Sequence, residues 1–132
     1  MHWRLKVWSN RGARAEDRAL KFLKQQGLKP LDRNYACRAG ELDLIMLQEE
    51  TLIFIEVRSR SPSRYGTAAE TVTRGKQDKI RKTAAHFLQN HPEHSHRECR
   101  FDVITLVHTD DGKVANNDDS TPNPIEWFPG AF

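Results

Sequence analysis

The sequence has few cysteines, few aromatic residues and no long hydrophobic run, and each shortage excludes a class of protein. Its two cysteines, Cys37 and Cys99, can form one disulfide at most, too few for a disulfide-stabilised scaffold. The longest apolar runs, at 44–47 and 52–55, have four residues each, whereas a membrane-spanning helix needs ~18. The first residues alternate apolar and basic side chains, unlike a secretory signal. We therefore expect a cytoplasmic protein with reduced thiols and no membrane contact.

The length and composition are those of a single globular domain. The chain has 132 residues, of which 37% are hydrophobic and 30% charged. A typical domain has roughly 150 residues, so no second domain is expected.

Charge is segregated along the chain, although the net charge is only +3. Residues 1–38 carry a net charge of +7 and residues 57–100 carry +6, whereas 39–56 and 101–132 each carry −5. Basic segments on both sides of a compact acidic one favour a polyanionic ligand, with a cation at the acidic centre. Uneven charge also arises by chance in small soluble proteins, so this pattern alone leaves both interpretations open.

Hydrophobic spacing predicts helices and strands in an order typical of an α/β fold. An apolar stripe through Ala19 and Leu23 predicts a helix that begins near Asn10 and stops at Gly27. This order predicts a mixed β-sheet flanked by helices. The remaining predicted elements are an extended segment at 29–38, a hairpin of 41–48 with 51–58, a loop at 59–71, a second helix that ends before Pro92, a strand at 101–108, a mobile loop at 109–124 and a last strand at 125–128.

The register of the predicted hairpin brings two acidic side chains opposite each other. If residues 49 and 50 form the turn, apolar side chains face apolar ones, and acidic side chains meet near the strand ends. The predicted facing pairs, all on one side of the sheet, are Leu47–Leu52, Ile45–Phe54, Asp43–Glu56 and Glu41–Arg58.

Two carboxylates in that arrangement need an explanation. Facing side chains have Cβ atoms roughly 4.5–5.5 Å apart, and like charges at that distance destabilise a sheet. Either one of the two carboxyl groups stays protonated, or a divalent cation bridges them. In a third arrangement, Asp43 and Glu56 splay into water at the strand ends and have no function.

Polar residues in both predicted helices add to this pair. Glu16 lies in line with the apolar stripe of the first helix. If that helix covers the hairpin face, Glu16 reaches the same pocket as Asp43 and Glu56. The alternative is that Glu16 stabilises the N-terminus of the helix through the helix dipole. Lys76 and Gln77 stand at the core-facing start of the second helix. For Lys76, the alternative is an aliphatic stem packed on the apolar stripe with its amine in water.

Several motifs together resemble a known family. The runs Gly40–Ile45 and Phe54–Arg60, with Gly12–Ala19, Arg33-Asn34, Gly75-Lys76-Gln77 and Arg100–Val103, resemble the YraN-like family of small bacterial proteins. They are similar to the PD-(D/E)xK signature of the restriction-endonuclease-like superfamily, which includes the archaeal Holliday junction resolvases. The resemblance covers residues 11–132 as a single nuclease-like domain and leaves 1–10 as an N-terminal extension.

The resemblance implies a metal-dependent nuclease site. Asp43 and Glu56 would bind Mg²⁺ or Mn²⁺, Glu16 would be the third acid, and the substrate would be DNA, branched or damaged. The sequence departs from the family pattern at Arg58, where the motif usually has lysine. Arginine stabilises charge on a phosphate but does not exchange a proton at ordinary pH. Lys76 could supply the missing amine from the second helix.

Other polar and aromatic residues have two interpretations each. The basic loop that contains Arg60, Arg64 and Tyr65 is suited to contacts with backbone phosphates, and so is Gln77. The alternative is that this loop is an ordinary solvated loop. Trp3 and Trp8 favour hydrophobic packing or self-association as a homodimer over base stacking. The segment after the second helix holds four potential zinc ligands, namely His91, His94, His96 and Cys99. An ordinary polar loop is favoured over a zinc site there.

The sequence thus predicts a restriction-endonuclease-like α/β domain that hydrolyses DNA with Mg²⁺ or Mn²⁺. Two alternatives stay open. One is a nucleic-acid-binding module that keeps the fold without catalysis, and the other is a protein–protein adaptor.

Overall fold

In the part of the chain that the structure describes, five strands form one mixed sheet with a helix packed on each face. A computed structural model describes residues 10–60, 72–107 and 124–132. The observed α/β architecture confirms the predicted mixed sheet flanked by helices. The elements, in chain order, are α1 (Asn10–Gln25), β1 (Lys29–Cys37), β2 (Gly40–Gln48), β3 (Thr51–Arg60), α2 (Arg74–Asn90), a 3₁₀ turn (Pro92–His94), β4 (Cys99–Val107) and β5 (Ile125–Phe128).

The strands lie in the order β1-β2-β3-β4-β5. Strands β3 and β4 are parallel and are connected through α2, whereas the other neighbours are antiparallel. The β2–β3 pairs include Ile45 with Phe54 and Leu47 with Leu52, which confirms the predicted hairpin register. Glu49 closes the turn with a positive φ of 54°, a conformation uncommon for a residue with a side chain.

Each face of the sheet is covered by a different helix. Ala19 and Leu23 of α1 pack with Leu44 and Ile53, whereas Phe87 of α2 packs on the opposite face, in a cluster with Ile45 and Phe54. The condition under which Glu16 was expected to reach the acid pair, that the first helix covers the face of Ile45 and Phe54, is therefore not met. The physical reason is that the runs at 44–47 and 52–55 are apolar on both faces, so both need cover, and α2, in the crossover from β3 to β4, takes this face.

Helix α1 ends as the sequence predicts. Gly27 adopts a positive φ of 95°, and its N–H donates to the carbonyl of Lys24, while the N–H of Leu28 donates to the carbonyl of Leu23. These two hydrogen bonds form a Schellman cap, in which glycine avoids the steric cost of the left-handed conformation.

Residues 1–9 of the N-terminal extension, which include Trp3 and Trp8, lie outside the described residues, as do most of the predicted loops at 59–71 and 109–124. Among the helices of the part that is described, none is long and apolar enough to cross a bilayer. Both cysteines are free thiols.

A buried carboxylate ties the C-terminal segment to the sheet. Asp102 has no exposed side-chain surface and accepts hydrogen bonds from Arg100 Nε and Nη2, at 2.8 and 2.9 Å, and from Trp127 Nε1 and the N–H of Gly130, both at 2.9 Å. Every lone-pair direction of this carboxylate is therefore used, as expected for an ionised group in a protein interior.

We expect Asp102→Asn to destabilise the fold by about 3–5 kcal/mol, because the change leaves the Arg100 guanidinium without a buried counter-charge. Urea unfolding followed by tryptophan fluorescence measures the loss. The control is Glu50→Gln, which removes the exposed ion pair of Glu50 with Arg97 and should cost less than about 1 kcal/mol. Equal losses for the two variants would contradict the structural role of Asp102.

Candidate functional site

The candidate site lies where β2 and β3 separate. Their paired residues end at Leu44 with Ile55, whereas β2 remains paired with β1 as far as Gly40 and β3 remains paired with β4 as far as Arg60. The two strands therefore follow different neighbours and open a fork. The predicted backbone pairing of Glu41 with Arg58 lies beyond the last pair and is not formed.

Asp43 and Glu56 lie at the base of this fork, one residue beyond the last pair. The Asp43 Oδ2 atom accepts a 2.7 Å hydrogen bond from the backbone N–H of Val57, and the carboxyl groups of Asp43 and Glu56 are within hydrogen-bond contact. The carboxylate of Asp43 thus takes the place of a backbone acceptor. The two acids converge, as the register predicts.

Burial of Asp43 makes its ionisation costly. Desolvation raises the pKa of Asp43 well above its usual range, and the neighbouring carboxyl group of Glu56 raises it further, by hydrogen bonding and by charge repulsion. The N–H of Val57 acts in the opposite direction. Without a bound cation, this geometry favours the protonated form of Asp43.

A reversal of side-chain direction in β1 and β2 shapes the fork. Arg33 and Tyr35 are two residues apart, yet Arg33 contacts Glu16 of α1, whereas Tyr35 contacts His86 of α2. Between them Asn34 adopts a positive φ of 58°, a conformation that asparagine tolerates better than most residues.

The same reversal occurs in β2, where Leu44 packs on the α1 side and Leu42 on the α2 side. Strict alternation therefore fails at Asp43, the residue between them. The prediction that alternate side chains from 41 to 47 share one face of the sheet is therefore wrong at this point, although the carboxyl groups of Asp43 and Glu56 still meet.

Glu16 is buried and is held by residues that the sequence did not single out for a role. Arg33 Nε lies 3.4 Å from Glu16 Oε1, and the side chain of Asn34 also hydrogen-bonds the carboxyl group. Burial raises the pKa of Glu16, and these two partners oppose the rise. Glu16 is close enough to raise the pKa of Asp43 by charge repulsion. The sequence feature that could have indicated this arrangement is Asn34 itself, because asparagine is enriched at left-handed backbone positions.

Lys76 reaches the acid pair from the first turn of α2. Its Nζ atom lies 2.8 Å from Glu56 Oε2, and its side chain is 41% exposed, whereas that of Glu56 is 6% exposed. Thr73 caps this helix by accepting the N–H of Lys76 at 3.2 Å. Arg58 is half-buried on β3, two residues after Glu56 and beside Thr105 of β4, so the side chains of Glu56 and Arg58 point the same way.

Two of the remaining predicted phosphate ligands, Arg60 and Gln77, are engaged in contacts within the fold. Arg60 forms an ion pair of 2.5 Å with Glu126 of β5 and is one-tenth exposed. The side-chain amide of Gln77 donates to the carbonyl of Val72, just before α2. Arg64 and Tyr65 lie outside the described residues.

The histidines after α2 do not form a metal site. His91 Nδ1 lies 2.8 Å from the carbonyl oxygen of Phe87, and Arg97 Nε donates to His94 Nδ1 at 3.0 Å. Within the described ranges, no three His, Cys, Asp or Glu side chains are grouped so as to hold a metal ion. These contacts therefore fit a polar loop better than a zinc site.

Sequence comparison identifies the family. The family model described as uncharacterised protein family UPF0102 matches residues 15–106. The chain belongs to the UPF0102 family.

Relatives in this family align over most of their length. A UPF0102 protein of Alcanivorax borkumensis is 51% identical over 102 residues, which is 77% of this chain and 82% of the relative. A UPF0102 protein of Saccharophagus degradans is 43% identical over 121 residues, which is 92% of this chain and 91% of the relative. A third, of Nitrosomonas europaea, is 41% identical over 123 residues, or 93% of each. The resemblance to a small bacterial family is thus confirmed at the level of UPF0102.

The raised pKa of Asp43 predicts a pH-dependent effect of Asp43→Asn. The folded state binds this proton more tightly than the unfolded chain, so the free energy of unfolding falls as pH rises from the ordinary aspartate pKa through the raised one. Asparagine keeps an acceptor for the N–H of Val57 and carries no charge. We therefore expect the variant to melt a few degrees above the wild type near neutral pH. Each kcal/mol of unfolding free energy corresponds to roughly 4 °C in melting temperature.

This difference in melting temperature should vanish in acid, below the ordinary aspartate value of 3.8, where Asp43 is neutral in both states. Thermal unfolding followed by circular dichroism across pH measures it. Asp78→Asn, at an exposed position of α2, is the control and should not alter the pH profile. A lower melting temperature of Asp43→Asn at neutral pH would contradict the argument.

Proposed function

We propose that this UPF0102 protein is a metal-dependent phosphodiesterase of the restriction-endonuclease-like type that cleaves DNA. The observation that carries the proposal is the contact between the Asp43 and Glu56 carboxyl groups at the fork of β2 and β3, with the Lys76 amine 2.8 Å from Glu56. Buried acids that repel each other cost stability, and such clusters concentrate at functional sites.

The donor set at the fork fits Mg²⁺ or Mn²⁺. Carboxylate oxygens suit these hard cations, and Mg²⁺ is commonly held by one or two carboxylates, with water and substrate phosphate in the remaining positions. Glu56 Oε2 is buried and accepts no well-aligned hydrogen bond, so this atom retains coordinating capacity. Asp43 and Glu56 would hold the cation. When bound, it would polarise the scissile phosphate and lower the pKa of an attacking water.

The other side chains have distinct roles in this proposal. The Lys76 amine would contact a phosphate oxygen and can exchange a proton, which supplies the chemistry that Arg58 lacks. Arg58 would stabilise the negative charge that develops on the phosphate. Glu16, held by Arg33 and Asn34, would act on the acid pair through its charge.

Charge segregation supports a nucleic acid as the substrate. The segments 1–38 and 57–100, which are strongly basic, contribute α1, β1 and α2 around the fork. Phosphate contacts from such segments position a duplex without reading its sequence. Branched or damaged DNA is the expected form, on the resemblance to junction resolvases.

We expect cleavage of linear, nicked or four-way DNA by the purified protein in the presence of Mn²⁺ and none with a chelator. Asp43→Asn and Glu56→Ala should each lower the rate by more than the roughly 10–100-fold that outer-shell changes typically cost. Gel assays with fluorescent DNA measure the products. Both variants are purified alongside the wild type to identify contaminating nucleases, and equal cleavage by all three proteins would contradict the proposal.

Arg58→Lys should raise metal-dependent cleavage on the order of tenfold, because lysine can transfer a proton that arginine retains. Arg58→Met is the matched control and should lower the rate, since it removes the positive charge. The same gel assay measures both variants. An unchanged rate with lysine would mean that position 58 does not face the reacting phosphate.

The arginine at position 58 also favours a second candidate function, a nucleic-acid-binding module without catalysis. That module would bind DNA with an affinity that falls steeply as salt rises, because counterions are released from phosphates. It would show no cleavage with any divalent cation, and this separates the two candidates.

A further inference from the structure

A lysine ammonium lies where a cation bound to Glu56 would lie. Lys76 Nζ is 2.8 Å from Glu56 Oε2, yet this oxygen accepts no hydrogen bond of good geometry. The contact is therefore an ion pair held by charge, which constrains direction less than an aligned hydrogen bond does. A divalent cation that used the same oxygen would meet the ammonium at close range, and the two positive charges would repel each other.

The amine can leave while the helix stays in place. The backbone of Lys76 is fixed in the first turn of α2, where its N–H donates to the side chain of Thr73. The amine is attached through a flexible four-carbon stem, and 41% of the side chain is exposed. Movement towards solvent therefore needs only rotamer changes, whereas Glu56, 6% exposed, stays in the fork.

We propose that Lys76 is an exchangeable counter-ion of Glu56 that yields its place to a divalent cation when a nucleic-acid phosphate attracts the ammonium. This inference rests on the proposed function and adds regulation of the same site. The two cations compete for one carboxylate, and the phosphate removes the competitor. Binding of metal and binding of DNA then favour each other, and the coupling is reciprocal.

The first consequence is an opposite effect of Lys76 on metal binding and on cleavage. Lys76→Met should bind Mn²⁺ about tenfold more tightly than the wild type, because the competing charge is gone, while it loses cleavage activity. Lys76→Arg keeps the charge and should bind Mn²⁺ as weakly as the wild type. Calorimetric titration with Mn²⁺ in the absence of DNA, at about pH 8 so that protons compete least for the carboxylates, measures the affinities.

The matched control is Lys82→Met, which removes the same charge from an exposed position on the same helix. It should leave the Mn²⁺ affinity unchanged within about twofold, since its separation from the fork lets solvent and salt screen its charge. Circular dichroism and thermal unfolding of each variant establish that the fold is intact before the titrations are compared.

The second consequence concerns the coupling. Fluorescence anisotropy with a labelled DNA duplex, at constant ionic strength, should show tighter binding by the wild type when Mn²⁺ is added. The gain should be smaller for Lys76→Met, because its metal affinity no longer depends on the phosphate. Asp43→Asn measures any effect of Mn²⁺ that arises from screening alone.

The outcomes separate the inference from the proposed function. Mn²⁺ binding that depends on Asp43 but is no tighter in Lys76→Met, or is equally tightened in Lys82→Met, would overturn the exchange and leave the proposed metal site standing. An equal gain in DNA affinity for wild type and Lys76→Met would also overturn it. No Mn²⁺ binding by any variant, with or without DNA, would overturn the proposed function and the exchange together.

Discussion

The hydrogen bond from the backbone N–H of Val57 to the Asp43 carboxylate is the interaction on which the candidate site depends. It satisfies a strand donor at the point where β2 and β3 cease to pair, so the strands can separate without leaving that N–H unpaired in the protein interior. The separation opens a fork between two otherwise regular strands. A closed ladder at this position would present a continuous sheet, and the N–H of Val57 would bond a backbone carbonyl instead of the Asp43 carboxylate.

Asp102 and Asp43 differ in how far their surroundings compensate a negative charge. Asp102 is saturated by four donors, among them both nitrogens of a bidentate arginine contact, and it fixes the last strand to the sheet. Asp43 is poorly compensated, faces the carboxyl group of Glu56 and has a raised pKa. Poorly compensated carboxylates of this kind concentrate at functional sites, whereas a saturated carboxylate has no free lone pair for a ligand.

Much of the fold was predictable because its signals are local. The period of apolar residues located both helices, the glycine at position 27 marked the end of α1, and the apolar pairing of β2 with β3 fixed their register. The side of the sheet that each helix covers was not predictable. Both faces of the central strands are apolar, so the pattern is the same for either helix, and only the crossover from β3 through α2 to β4 decides between them.

The sequence by itself determined the identity of the acids, their convergence near the end of a hairpin and the presence of an amine at the start of α2. Tertiary structure decided how they meet. The left-handed conformation of Asn34 reverses side-chain direction in β1, and β2 reverses with it at Asp43, so that Glu16 of the opposite helix acts on Asp43. The physical reason is that alternation along a strand is a rule of regular backbone. One left-handed residue breaks it, and whether a residue adopts that conformation depends on partners distant in sequence.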